Sequence, residues 1–360
     1  MVFEIFVILS NIFYPTTFLV NADGVYQATA VSWAEDIYLV TVSAVTIILI
    51  IMCRSPRNQK AAAMTFMSFP FAEYVLLGQF GNSGQYGTIL MSLIIMYCVI
   101  FNEKSNQLAA TQIKLNMATE IQTSMLPSNF PAFPERPEFD IHASMNPTKE
   151  VGGDFYDLFM IDEDHLAMVV ADVSGKGIPA ALFMISSKIL INDHAIMGGS
   201  PAEILERVNK LVYANNKAHM FVTVWLGILE ISTGKLTSAG AGHEYPMINI
   251  NGKYEILKDI HGLAIGAARI SKYKNTEITL KKGDSIFVYT NGVAEANNAS
   301  GELFGADCTV EALNAIPAGV SQKDVLAGVR AVVDAFVKEA SQFDDLTMLG
   351  MKYYGFEDNA

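Results

Sequence analysis

Positive charge is scarce in this sequence. Its 24 Lys and Arg are outnumbered by 37 Asp and Glu, for a net charge of -13. Binding a phosphate backbone needs clustered Lys and Arg, so no nucleic-acid partner is expected. Cysteine is scarcer still: Cys53, Cys98 and Cys308, two of them in apolar segments and none in a CxxC. Neither a disulfide framework nor a zinc site follows from such a set. No GxGxxG and no P-loop occurs, which leaves nucleotide-binding folds without support. An internal repeat and a low-complexity tract are both missing as well.

Apolar residues are abundant instead. They make up 51% of the chain, the mean hydropathy is +0.29, and the excess falls in the first hundred residues. Four stretches, Val2–Val20, Ile37–Cys53, Ala61–Phe80 and Tyr86–Phe101, approach the ~20 residues of a spanning helix. They predict a helical transmembrane region over residues 1–101, because a buried soluble domain of this composition would keep too little polar surface. A signal peptide fits Val2–Val20 poorly, since Glu4 and no basic residue precedes its core. Arg54, Arg57 and Lys60 place the second loop in the cytoplasm. Four crossings then return the chain to the cytoplasm before Lys104, giving a multi-pass protein of the cytoplasmic membrane with its remainder inside. Glu73 lies in the third stretch, either as a functional intramembrane carboxylate or near the outer interface.

Residues 102–135 form a second region. Leu108, Ile113, Leu115, Met117, Ile121 and Met125 recur at helical spacing among polar residues, and nothing breaks the pattern before Pro127. An amphipathic helix over 102–126 is expected, pairing with its copy in a homodimer or packing on its own carboxy-terminal domain. The prolines of "PSNFPAFPERPEF" end it.

Residues 136–355 read as α+β. Strands are expected at Phe139–Met145, Phe155–Ile161, Leu166–Ala171, Phe221–Ile231, Lys235–Ala239, Met247–Ile250, Ser285–Tyr289 and Leu346–Tyr353. Helices are expected at Pro179–Met197, Ala202–Asn215, Leu303–Ala315 and Lys323–Lys338. Runs of strands with helices in blocks suggest two sheets sandwiched by helices. Asn251–Gly252, between two apolar runs, predicts a tight hairpin. A second Asn-Gly, Asn291–Gly292, ends a strand without a returning one.

Carboxylates recur where strands end, beside small residues. Asp154 follows Gly152–Gly153, Asp172 closes "VVAD", and Asp344 and Asp345 precede "LTML". Converging carboxylates repel unless cations lie between them, and hard oxygen ligands select Mg²⁺ or Mn²⁺ over zinc. Singly each is ordinary turn chemistry; Asp162, Glu163 and Asp164 read as a solvated turn.

Taken in order, "MNPTKEVGGDFYDLF", "VVADVSGKGIPAALFM", "SAGAGHEYPMI", "VYTNGVAEANN", "GELFG" and "FDDLTML" resemble the SpoIIE/RsbU-type branch of the metal-dependent PPM serine/threonine phosphatases, over about residues 115–355. That resemblance implies a PPM-type β-sandwich flanked by helices, with two Mn²⁺ or Mg²⁺ at one end. It implies Asp154, Asp172, the Val173 carbonyl and Asp344 as ligands, Asp172 bridging, with Asp345 and Gly153 auxiliary. Lys149 would meet the substrate phosphate or stay a surface lysine; Lys176 and His243 carry the same ambiguity. The implied substrate is a phosphorylated STAS-domain anti-sigma-factor antagonist. One position departs: where the family pattern is Thr-Asp-Gly-Val with a ligand Asp, this chain has Asn291. An amide oxygen binds a hard cation without a charge, so two readings follow, a phosphatase with one weakened metal site or a phosphoprotein-binding module of little turnover.

Overall fold

The computed structural model describes residues 18–20, 22–28, 85–149, 151–338, 340, 342 and 344–355. The chain divides into two units, Met1–Gln112 and Ile113–Ala360. In the first, β1 (Phe18–Val20) pairs antiparallel with β2 (Tyr26–Ala28). The end of the first apolar stretch, Phe18–Val20, is therefore strand and not helix. Gly24, at φ 76°, sits in the turn that brings Tyr26 back against Val20. Residues 2–17 of that stretch, the second and third stretches, and Glu73 lie outside the described residues. The fourth begins α1 (Gln85–Met125), which is longer than the helix expected from residue 102. Among the described residues no helix is long and apolar enough to cross a membrane.

Within the second unit the strands form two five-stranded antiparallel sheets. One joins β4 (Phe155–Met160), β5 (His165–Val173), β6 (Val222–Glu230), β7 (Lys235–Ala241) and β10 (Thr276–Thr279), in the order β10-β7-β6-β5-β4. The other joins β3 (Phe139–Asn146), β8 (Met247–Ile250), β9 (Lys253–Ile256), β11 (Ser285–Tyr289) and β12 (Leu346–Tyr353), in the order β3-β12-β11-β8-β9. Helices α2 (Ile178–Ile196) and α3 (Pro201–Asn215) lie on the first sheet. After the short α4 (Asn291–Ala294), α5 (Gly305–Ala315) and α6 (Gln322–Val337) lie on the second.

Strand β11 shows why the layers form. Side chains alternate across a strand, and every residue of β11 is buried. Ile286 and Val288 enter the core between the sheets with Leu349 and Met351. Phe287 and Tyr289 enter a second core with Leu313, Val329 and Met348 beneath α5 and α6. An unbroken apolar run is the signature of a strand covered on both faces.

Local signals set the element ends. Ser200 and Glu203 form a reciprocal capping box at α3, with Pro201 in its first turn. Asn251 and Gly252 take φ of 56° and 86° and close the β8–β9 hairpin. The expected helix from Leu303 starts later, at Gly305, because Leu303 bridges Asn297. Lys338 leaves α6 with φ 55°.

Candidate active site

Four strand ends meet at one edge of the sandwich. Asp154 immediately precedes β4, Asp172 is the penultimate residue of β5, Asn291 follows β11 by two residues, and Asp344 and Asp345 precede β12. Antiparallel pairing puts these ends together: Phe155 lies opposite Ala171, and Tyr289 opposite Met348. Residues 190 positions apart in sequence are thus held by rigid backbone rather than by loops.

Asp154 is 1% exposed. Its Oδ2 accepts hydrogen bonds from the Thr290 hydroxyl at 2.6 Å and the Thr347 hydroxyl at 2.7 Å. Those threonines are joined in turn, since the Thr347 amide donates to Thr290 Oγ1 at 3.1 Å and the Thr290 amide to the Thr347 carbonyl at 3.0 Å. Burial, then the charge of Asp172, pushes the Asp154 carboxyl well above the ordinary range, against the pull of both hydroxyls. Asp172 is pushed up to about 6, first by burial and then by Asp344, with Asp154 and Lys176 opposing. Carboxyls so crowded cannot all ionise without compensating positive charge.

Asp345 serves the scaffold. Its Oδ1 accepts from the amide and hydroxyl of Thr148 at 2.7 and 2.9 Å, and its Oδ2 accepts from the Gly153 amide at 2.7 Å. The two glycines before Asp154 have steric reasons. A Cβ on Gly152 would lie 2.3 Å from Asp345 Oδ2, and one on Gly153 would lie 2.8 Å from the Val173 carbonyl oxygen. Val173's carbonyl can therefore stand beside Asp154 only because residue 153 has no side chain. Gly292 is stricter still, with a Cβ position 1.9 Å from the Asp345 carbonyl oxygen. The second Asn-Gly pair is thus a packing requirement that opens α4, and no hairpin.

Asn291 Oδ1 is buried and has no hydrogen-bond partner among the described residues. A buried amide oxygen without a donor costs about 1–3 kcal/mol, and a cation is one species that would satisfy it. The donor set fits a hard divalent ion in kind: three carboxylates under mutual repulsion, a backbone carbonyl held close by glycine and an orphaned amide oxygen. Among the described residues, no three His, Cys, Asp or Glu side chains are already gathered as one metal-holding group. Part of the reason is that Lys176 Nζ holds Asp344 Oδ1 at 2.8 Å, and the two threonines hold Asp154 Oδ2.

Of the remaining sequence candidates, only Lys176 joins this cluster. Lys149 is exposed and joins no ion pair among the described residues. Lys176 is brought to Asp344, so it belongs to the site. His243 is 5% exposed, and its Nδ1 lies 3.0 Å from Thr223 Oγ1. Burial first, then His261, lowers it to about 3, which makes it a neutral structural histidine near the Asp172 strand. Asp157, the second Asp of "GGDFYD", pairs with Lys188 at 2.7 Å and ties α2 to β4. Asp162 accepts from the Asp164 amide at 2.8 Å within its turn, while Asp164 accepts from the Ser232 amide at 2.8 Å.

Sequence reasoning missed Thr290, Thr347 and Gln122. Thr290 directly precedes Asn291 and Thr347 follows Asp345 by two residues, yet beside apolar runs they read as ordinary β-formers. Gln122, 3% exposed near the end of α1, donates to the Gly152 carbonyl at 2.8 Å and accepts from the Gly152 amide at 3.1 Å. A lone Gln in a polar helical stretch carries no signal for such a clamp. Ile113, Met117 and Ile121 on the same helix stay exposed.

The chain resembles known proteins. The family described as Stage II sporulation protein E (SpoIIE) matches residues 162–354. Protein IcfG of Synechocystis sp. is 29% identical over 269 residues, covering 67% of this chain and 41% of IcfG. Phosphoserine phosphatase RsbU of Bacillus subtilis is 30% identical over 219 residues, covering 59% of this chain and 64% of RsbU. The chain thus spans less than two thirds of the length of either relative. Among solved structures, the SiaA-PP2C domain of Pseudomonas aeruginosa is similar with a TM-score of 0.61 at 24% identity, over 68% of this chain and 98% of that one. The PP2C phosphatase domain of SpoIIE from Bacillus subtilis gives 0.53 at 15% identity, over 59% and 63%. These two likenesses concern the fold.

Proposed function

The chain belongs to the SpoIIE family, and from that premise we propose that it is a membrane-anchored, metal-dependent serine/threonine phosphoprotein phosphatase. The observation that carries this reading is the meeting of Asp154, Asp172 and Asp344 at one sandwich edge, with raised Asp154 and Asp172 carboxyls beside the orphaned Asn291 oxygen. Asp154, Asp172, the Val173 carbonyl, Asn291 and Asp344 would hold two Mn²⁺ or Mg²⁺. When bound, such ions supply a water of lowered pKa and polarise the phosphoryl oxygens.

This chain's own residues do the positioning. Thr290 and Thr347 fix one oxygen of Asp154, which leaves the carboxyl's other oxygen to Asp172 or to a metal. Asp345 locks the Thr148–Gly153 loop and keeps Lys149, exposed beside it, available to a phosphate. Lys176 lowers the cost of charge on Asp344. No side-chain nucleophile is required, which agrees with the lack of a Cys or Ser nucleophile motif.

The substrate we propose is a phosphorylated STAS-domain protein. The names of two relatives, phosphoserine phosphatases RsbU and RsbP, support a phosphoserine substrate, and its STAS-domain nature rests on the resemblance of the sequence motifs. Membrane anchoring through residues 1–101 rests on the four apolar stretches, and a homodimer through 102–126 on the exposed stripe of Leu108, Ile113, Met117 and Ile121. Replacing Ile113, Met117 and Ile121 by Ser should convert a dimer to a monomer in sedimentation; an unchanged mass would remove the dimer from the account. A second reading, a binding module of little turnover, is favoured by the neutral Asn291 alone. The full chain in detergent, given a phosphoserine STAS-domain protein and a Mn²⁺ series, separates the two. Metal-dependent hydrolysis supports the phosphatase, whereas stable complex formation without phosphate release supports the module.

A further inference from the structure

A cavity of about 250 Å³ opens beside the candidate site, lined by Gly292, Arg330, Val333, Asp334, Lys338 and Gln342 among others. It adjoins the site at two points. Gly292 follows Asn291, and Gln342 Nε2 donates to the Asp344 carbonyl at 2.7 Å. Its walls mix apolar residues, with Val333 and Leu346 each 2% exposed, and polar ones, and its charges are two cations and one carboxylate in a chain whose net charge is -13.

Arg330 is the informative residue. Its Nε donates to Asp334 Oδ1 at 2.8 Å, an ordinary i,i+4 pair on α6. That pair leaves Nη1, which is buried and has no hydrogen-bond partner among the described residues. A guanidinium is always charged and has only donors to offer, so a buried unpaired nitrogen calls for an acceptor, best an oxyanion. Lys338 adds a second positive charge where α6 ends, and Asp334, which also lines the cavity, competes for Arg330.

We propose that this cavity is an oxyanion subsite, taking one phosphate or carboxylate group next to the metal site. Resting on the phosphatase reading, it would hold an acidic side chain that flanks the phosphoresidue of the substrate, or free phosphate after hydrolysis. Arg330 and Lys338 are then positioning residues that touch no reacting atom.

The test uses the full chain in EDTA, so that binding of the probe, inorganic phosphate, does not depend on the metal site. Calorimetric titration should show phosphate binding that Arg330→Gln weakens about tenfold or more, the value of one charge-assisted bond. Asp334→Asn, which frees the guanidinium, should tighten it. Identical binding by wild type and both variants overturns the subsite, and leaves the phosphatase reading to stand or fall on metal-dependent turnover. The source is settled with Mn²⁺ present. If Arg330→Gln raises KM only for phosphopeptides carrying Glu beside the phosphoserine, with kcat unchanged, the group comes from the substrate. If it relieves only inhibition by added phosphate, the group is the product. A variant that changes neither overturns the proposal.

Discussion

Replacing Asn291 by Asp restores the charge that the family pattern carries, and the structure sets the expected size of the effect. Asn291 Oδ1 is already buried without a donor among the described residues, so the substitution exchanges a neutral acceptor for a carboxylate in the same place. Asp154 and Asp172 are both pushed above their ordinary range by burial and by neighbouring carboxylates. A fourth charge with no partner should cost about 1–3 kcal/mol in metal-free protein. For a unit of the size of Ile113–Ala360, that lowers Tm by roughly 2–4 °C per kcal/mol. In Mn²⁺ the sign reverses, because the added carboxylate becomes a ligand; on the scale of tenfold changes known for groups around metal sites, the variant should bind at least about tenfold tighter. Thermal unfolding of both proteins in EDTA and across a Mn²⁺ series reads both halves. The variant should melt below wild type in EDTA and gain more from Mn²⁺, with hydrolysis of a phosphoserine peptide saturating at lower metal. Equal Tm in EDTA together with an equal Mn²⁺ response would refute a ligand role for residue 291.

Gln122→Ala leaves the Gly152 amide and carbonyl without their partner, so it should cost about 1–3 kcal/mol and weaken Mn²⁺ binding through the Asp154 loop; an unchanged melt and Mn²⁺ titration would show that the clamp is idle. Gly153→Ala places a Cβ 2.8 Å from the Val173 carbonyl oxygen and should displace that carbonyl, lowering metal affinity while circular dichroism stays native. A metal titration matching wild type would count against Val173 as a ligand. The raised Asp172 carboxyl predicts a pH effect. Its folded pKa of about 6 exceeds the ordinary 3.8, so the folded state binds more protons across that window. Metal-free stability should therefore fall as pH rises through that window, and Asp172→Asn should flatten the slope, as followed by denaturant melts at several pH values.

Much of the fold was legible because its signals are local. The run Ser285–Tyr289 is apolar without interruption, and the structure buries it on both faces. Asn251–Gly252 announced a hairpin that positive φ at both residues confirms. The same hairpin implied the returning strand Lys253–Ile256, whereas Thr276–Thr279 escaped because a four-residue edge segment holds too few alternations to stand out. At the site, the aspartates were visible through their place at strand ends. Their supports were not, since Thr290 and Thr347 look like strand filler and Gln122 like helix surface. Gly292 illustrates the same limit. Its dipeptide suggested a turn, while the actual constraint is the carbonyl of Asp345, more than fifty residues away in sequence and invisible to any local pattern. Arg330 likewise reads as one half of a helical ion pair until the cavity behind it is seen.

The central claim is that this cluster of carboxylates performs metal-dependent phosphate hydrolysis. Its most direct test is phosphate release from a phosphoserine protein by the full chain, wild type and Asp172→Asn, over a Mn²⁺ titration. The account predicts release that requires Mn²⁺, is abolished by EDTA, and is lost in a natively folded Asp172→Asn variant. Turnover that survives in Asp172→Asn, or is indifferent to metal, would contradict it.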